Sequence, residues 1–269
     1  MRRAFYLLFA VVTMAYFTAC SGNSQKKSKS TVKIEKEEVQ KEIKNVVYPL
    51  PTSFEVTEML NRIEASYILT LSNPPGNVDN YITEKEKALA LGVYGADLSY
   101  ASTYHQKQRT IDYMRVSKKL LEELDISAAV DPDIIEQIES VENDKEKLVE
   151  IISNSFYSTY EYLNNNDRGA ISLLVLSGSW IEALYIATHI SDETFDNKEM
   201  VTIIMNQKKN LIKLMALLKK YQGDEAVAEA INVLNPLYEI YDTIDEGSIT
   251  KKQMKEIAAA VEVARKQII

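Results

Sequence analysis

Ala170-Ile171-Ser172-Leu173-Leu174-Val175-Leu176-Ser177-Gly178-Ser179-Trp180-Ile181-Glu182-Ala183-Leu184-Tyr185-Ile186-Ala187-Thr188-His189-Ile190 decides how the rest of the chain is read. Leu173, Leu174, Val175, Leu176, Trp180, Leu184 and Ile186 make this stretch apolar on nearly all sides. A helix without a polar face must be surrounded, so these residues predict the central helix of a helical fold. Polar groups interrupt the run too often for it to be expected to span a bilayer.

Working outward, helix signals recur on both sides. Thr52-Ser53-Phe54-Glu55 has capping-box spacing, and Phe54, Met59, Leu60, Ile63, Tyr67 and Leu71 follow near helical periodicity, predicting a helix to Ser72. Asn73-Pro74-Pro75-Gly76-Asn77 reads as a loop. Thr83-Glu84-Lys85-Glu86 repeats the capping-box spacing and opens a helix to about Tyr104, and a further helix covers about Gln106 to Leu124. Asp131-Pro132 starts a short helix to about Glu142, which leads into a longer one ending at the turn Asn164-Asn165-Asn166. Helices from about Asn197 to Tyr221, Asp224 to Asp245 and Thr250 to Ile269 complete the chain, with Pro236 expected to kink or split the middle one. The expectation is all-α, with eight or nine antiparallel helices packed as a bundle or an irregular array of helical hairpins. Only 8 Gly and 6 Pro in 269 residues, with 46% apolar residues, agree with a helical core and disfavour an all-β fold.

Gly92-Val93-Tyr94-Gly95-Ala96-Asp97-Leu98 and Gly178-Ser179-Trp180-Ile181-Glu182-Ala183-Leu184 are weakly alike and stand 86 residues apart. Each falls in the second helix of a helical triplet, so two related three-helix units followed by C-terminal helices are one reading and chance similarity of two apolar helices is the other. Gly92, Gly95, Ser99, Gly169, Ser177 and Ser179 read as small residues that let helices cross closely.

The chain begins in a different register. Met1-Arg2-Arg3 is cationic, and Ala4 to Ala19 is apolar apart from Thr13 and Thr18, which is the layout of a signal peptide. At about 1.5 Å per residue this run falls short of the roughly 30 Å hydrocarbon core, so a permanent span is the weaker reading. Phe17-Thr18-Ala19-Cys20-Ser21-Gly22 resembles a lipobox, with Phe17 where Leu is usual. Residues 1–19 are therefore expected to be a leader, and Cys20 to be acylated. Each buried methylene contributes about 0.8 kcal/mol, so two or three acyl chains hold a protein at a membrane where one does not. Ser21 to Ser30 is a polar tether carrying Lys26, Lys27 and Lys29, and Thr31 to Val47 suits a stalk helix that ends at Tyr48-Pro49-Leu50-Pro51. The globular part is expected to run from residue 48 to 269.

Loss of Arg2 and Arg3 with the leader leaves 29 basic against 39 acidic residues. An acidic chain with no basic stripe is a poor match for phosphates, so nucleic acid is not an expected partner. The single cysteine permits no internal disulfide. His105 and His189 are the two histidines and belong to no Glu-x-x-His pair, so a di-iron bundle site is not expected. No His-Glu-x-x-His, Gly-x-Ser-x-Gly or phosphate-loop pattern occurs. Neither a catalytic constellation, nor a metal, nor another cofactor is expected.

What remains are candidate ligand-binding residues. Leu91, Tyr94, Leu98 and Ala101 form one helical stripe with Asp97 and Tyr104 at its edge, either a ligand-binding wall or an edge Asp bonded to a tyrosine hydroxyl. Glu182, Tyr185 and His189 share a face opposite Trp180, Leu184 and Ala187. A Glu and a His on a buried helix can exchange a proton, although a face turned to solvent or to another helix's polar groups explains them as well. Phe156-Tyr157-Ser158-Thr159-Tyr160-Glu161-Tyr162 is rich in tyrosine, which suits both core and binding surface.

Leu91-Gly92-Val93-Tyr94-Gly95-Ala96-Asp97-Leu98-Ser99-Tyr100-Ala101, with Tyr48-Pro49-Leu50-Pro51 and the lipobox, resembles an uncharacterised family of all-helical lipoproteins from Bacteroides-type bacteria. The resemblance covers most of the mature chain and implies fold and location without carrying any functional residue across. In such bacteria acidic residues after the cysteine accompany export to the cell surface, and this tether has none. The expected location is thus a lipid anchor at the outer membrane facing the periplasm. The expected role is non-catalytic binding of an envelope protein or small ligand, with an envelope enzyme using Glu182, His189 or Asp97 as the alternative.

Overall fold

Residues 65–141, 144–191, 195–245 and 247–269 are described by the structure, a computed structural model. The expected leader, Cys20, tether, stalk and the first half of the Thr52–Ser72 helix lie outside them. The described residues are all-α, with eight α-helices, three 3-10 turns and no strand. The helices are α1 Glu84–Thr103, α2 Lys107–Glu123, α3 Ile134–Ser140, α4 Lys145–Asn165, α5 Gly169–His189, α6 Lys198–Lys220, α7 Glu225–Asp242 and α8 Lys251–Lys266.

Local chemistry sets the ends of these helices. At α1 the Glu86 N–H donates to Thr83 Oγ1 (3.2 Å) while the Thr83 N–H donates to Glu86 Oε2 (2.9 Å), completing the predicted capping box. Thr250 and Gln253 do the same for α8, at 3.2 and 2.9 Å. Asp144, Asn197 and Asp224 each accept a first-turn N–H at the start of α4, α6 and α7. His105, Asp125 and Asp167 take positive φ of 54°, 55° and 63° just past α1, α2 and α4, where the left-handed residue that ends a helix is commonly glycine.

Two helices occupy the middle. Every residue of α1 from Ala88 to Thr103 is buried, as is most of α5. By length and composition α5 would pass for a membrane span, but 83% of its most apolar window is buried inside the protein. The surrounding helices use its apolarity. α1 is packed by α2, α4 and α5, and α5 by α1, α4, α6, α7 and α8.

Glycine allows the two to touch backbone to backbone. A Cβ on Gly92 would overlap the Val175 carbonyl oxygen and stand 2.6 Å from Ser179 N, and a Cβ on Gly178 would overlap the Leu89 carbonyl oxygen. The two contacts are reciprocal, because Gly178 and Val175 follow Gly92 and Leu89 by the same 86 residues that separate the similar segments. Leu89 meets Gly178, Asp97 lies beside Glu182, and Tyr100 packs with Ile186, so α1 and α5 run in the same sense. The central pair is thus co-directional, whereas the sequence led us to expect antiparallel neighbours. Gly95 and Gly169 make room for side chains instead, those of Phe156 and Tyr221.

Two local expectations change, and at Pro236 one of two alternatives is settled. The helix expected to reach Ser72 is not helical at residues 65–68, and Leu69–Leu71 is a 3-10 turn. Here Tyr100 takes the Ile68 N–H and Arg265 the Leu71 carbonyl, so side chains of the core satisfy this backbone in place of a helix ladder. Pro236 lies within the single helix α7, which is not split. Asp97 does not sit at the edge of a stripe, because α1 has no exposed face after Ala88 and Asp97 is 0% exposed.

Candidate functional site

Residues 68–77 form a strap along the C-terminal half of α1. A chain that is neither helix nor strand must find other partners for its buried backbone groups. Here four side chains supply them. Ile68 N–H donates to Tyr100 Oη (2.8 Å), and Arg265 Nη2 donates to the Leu71 carbonyl (2.9 Å). Asn73 N–H donates to Asp97 Oδ2 (3.0 Å), and Tyr94 Oη donates to the Pro74 carbonyl (3.0 Å). Three of the four come from α1 and one from α8. Asn73, read from sequence as a loop residue, is 0% exposed and is a hub: its Nδ2 donates to Tyr81 Oη (2.8 Å) and its Oδ1 accepts from Asn77 Nδ2 (2.9 Å).

Beneath the strap lies a layer of charge. Glu182 on α5 is 0% exposed and accepts two bonds from Arg265 on α8, Nε to Oε2 at 2.6 Å and Nη2 to Oε1 at 2.8 Å. This bidentate fork is the strongest geometry available to such a pair. Burial pushes the Glu182 carboxyl up, and the Arg265 guanidinium pulls against it. For Arg265 burial works against the charge, yet its bonds to Glu182 outweigh that and hold it as a cation. Asp97 has no such partner. Its Oδ1 accepts no hydrogen bond, and neither the Tyr67 hydroxyl nor the Ser72 hydroxyl finds a partner of good geometry. Burial first, and the Glu182 carboxylate second, push the Asp97 carboxyl well up from the usual range.

Aromatic rings close the layer. Tyr67, Tyr100 and Tyr104 pack at centroid distances of 4.7, 5.7 and 5.1 Å. Burial raises the Tyr100 hydroxyl to about 12, and Tyr94, Tyr104 and Tyr113 rise for the same leading cause. Arg265 stacks over Tyr185 at 4.3 Å, and Tyr185 stacks on His189 at 4.2 Å. His189 Nδ1 sits 2.9 Å from the Tyr185 carbonyl oxygen, and burial lowers its proton affinity.

The sequence-predicted residues therefore divide. Tyr94, Asp97, Glu182, Tyr185 and His189 converge around Arg265 and the strap, with Tyr104 joined through Tyr67 and Tyr100. Trp180 turns the other way, where its Nε1 donates to Gln207 Oε1 (3.1 Å) and its ring meets Tyr241 at 6.4 Å. The face of Glu182, Tyr185 and His189 meets another helix's polar group, Arg265. Asp97 bonds a backbone N–H of the strap, with no tyrosine hydroxyl as its acceptor or donor.

Arg265 and Asn73 escaped the sequence reading. For Arg265 a signal existed: it follows Met254, Ile257 and Val261 at helical spacing, a cation on the buried stripe of α8. Among the described residues no group of three or more His, Cys, Asp or Glu side chains is placed to hold a metal ion. No protein-family model, curated protein or solved structure matches this chain.

Proposed function

We propose that the chain is a lipid-anchored protein of the bacterial cell envelope, tied through acylated Cys20 to the outer membrane on its periplasmic side, whose helical body binds a partner protein or small ligand without catalysis. The cationic start, the apolar run to Ala19, the lipobox-like residues and the polar tether support the anchor. One observation supports the non-catalytic reading above others: the groups best suited to chemistry are spent on internal bonds. Glu182 is held by Arg265, Asp97 and Tyr94 hold the strap, and Trp180 is held by Gln207. The envelope enzyme keeps one supporting observation, the convergence of Asp97 and Glu182 on one buried spot.

The anchor is tested by growing cells that express the full chain with a clickable palmitate analogue. The native chain is expected to carry the label and sediment with membranes, and Cys20→Ala to do neither. An unlabelled native chain in the soluble fraction would overturn the reading.

A further inference from the structure

The strap is attached by few bonds, and one of its anchors is a carboxyl group in an odd position. Asp97 is fully buried, with one oxygen accepting the Asn73 N–H and the other accepting nothing. The groups around it come from every neighbouring element: Ser72 from the strap and Tyr67 just before it, Tyr113 from α2 with Arg109 facing that tyrosine, Glu182 from α5 and Arg265 from α8. On its own helix Tyr94 and Tyr100 face it. Arg265, its neighbouring cation, has already committed its Nε and Nη2 to Glu182 and to the Leu71 carbonyl.

Two buried carboxylates beside one guanidinium carry an excess negative charge, and a charge left unpaired in the interior is costly. A proton on Asp97 removes it. The proton would sit on Oδ1, the unpartnered atom, with the Ser72 hydroxyl beside it as acceptor, while Oδ2 keeps the Asn73 bond. Ionisation reverses this. A second anion then lies next to Glu182 with only the Arg265 charge, already bonded to Glu182, to offset it, and the element able to move aside and admit water is the strap, whose short 3-10 turns have no helix ladder of their own.

We propose that the Ile68–Asn77 strap is a proton-gated latch, closed while Asp97 is a neutral acid and released when Asp97 ionises. The strap joins the segment that leads back to Cys20 to the helical body. Release would loosen that junction and open the acid layer to solvent without dismantling α1 and α5, which are held at Gly92 and Gly178 by shape alone.

The test is hydrogen exchange by mass spectrometry on the full chain between about pH 5 and about pH 9, corrected for intrinsic exchange. Amides of residues 68–77 are expected to lose tenfold or more of their protection as pH rises, while those of α1 and α5 keep theirs. Asp97→Asn keeps the acceptor for Asn73 and cannot ionise, so its strap should stay protected across the whole range. Constant protection in the native chain overturns the latch. So does a loss shared by Asp97→Asn, which would assign the titration to another group. An Asp97→Asn chain that fails to fold also overturns it, because a neutral acid should tolerate its amide.

Discussion

The central helix pair has two layers that are held in opposite ways. At Gly92 and Gly178 the backbones touch, and nothing polar is involved beyond the peptide groups themselves. One to two turns further on, Asp97 and Glu182 lie side by side with Arg265 reaching in from the C-terminal helix. The first layer depends on shape and should be indifferent to pH and salt. The second depends on a count of charges, and a change in that count is expected to propagate to whatever the layer holds, which is the strap. Two contacts on the same pair of helices can therefore fail independently.

Removing Arg265 is expected to have the largest effect. Arg265→Ala leaves Glu182 buried without its cation and the Leu71 carbonyl without a donor, which should cost about 3–5 kcal/mol in urea unfolding. Replacing the pair by Arg265→Met with Glu182→Leu should instead cost far less, because an apolar pair of similar volume has no charge to desolvate. A double variant as unstable as the single one would mean that Arg265 acts mainly through the strap.

In the other layer, Gly178→Ala forces a methyl onto the Leu89 carbonyl. The expected loss is about 1–3 kcal/mol or more, unchanged between low and high pH. A pH-dependent loss would show that the two layers are coupled. Tyr94→Phe removes one bond to the strap and should cost roughly 1 kcal/mol.

The smallest effect concerns His189. Burial holds its proton affinity below the ordinary 6.5, so the unfolded chain binds more protons in that interval. The contribution of His189 to stability is complete above 6.5 and is lost as pH falls through the folded value. His189→Gln should flatten this acid limb of a melting-temperature profile. Asp97 acts with the opposite sign. Its folded form holds its proton at higher pH than its unfolded form, so stability falls as pH rises through that interval.

Much of this architecture could be read from local signals. The capping boxes at Thr83 and Thr250 and the Asn and Asp starters at 197 and 224 lie within a few residues of the helices they open. The all-round apolarity of the stretch at Ala170 identified a surrounded helix before any neighbour was known. Gly92 could be recognised as a contact point because a missing side chain in a buried helix usually serves one, whereas its counterpart Gly178 was shown to be one only by the packing.

The strap was misread for a physical reason. The residues from Tyr67 to Leu71 carry helical periodicity, but the Ile68 N–H is claimed by Tyr100 and the Leu71 carbonyl by Arg265, which lie 32 and 194 positions away. Local spacing cannot report a competition with partners so distant in the chain.

By itself, then, the sequence determined the class of fold, the positions of most helices and that the helix at Ala170 is central, but not that Glu84–Thr103 shares the centre with it, since caps and periodicity act within a turn or two. Only the tertiary structure decided that those two run in the same sense, that Glu182 is bonded to a cation while Asp97 is not, and that a proline-bearing loop is pinned over both. Each of these depends on how groups far apart in the chain share one small, water-poor volume. There a single guanidinium can satisfy only so many oxygens.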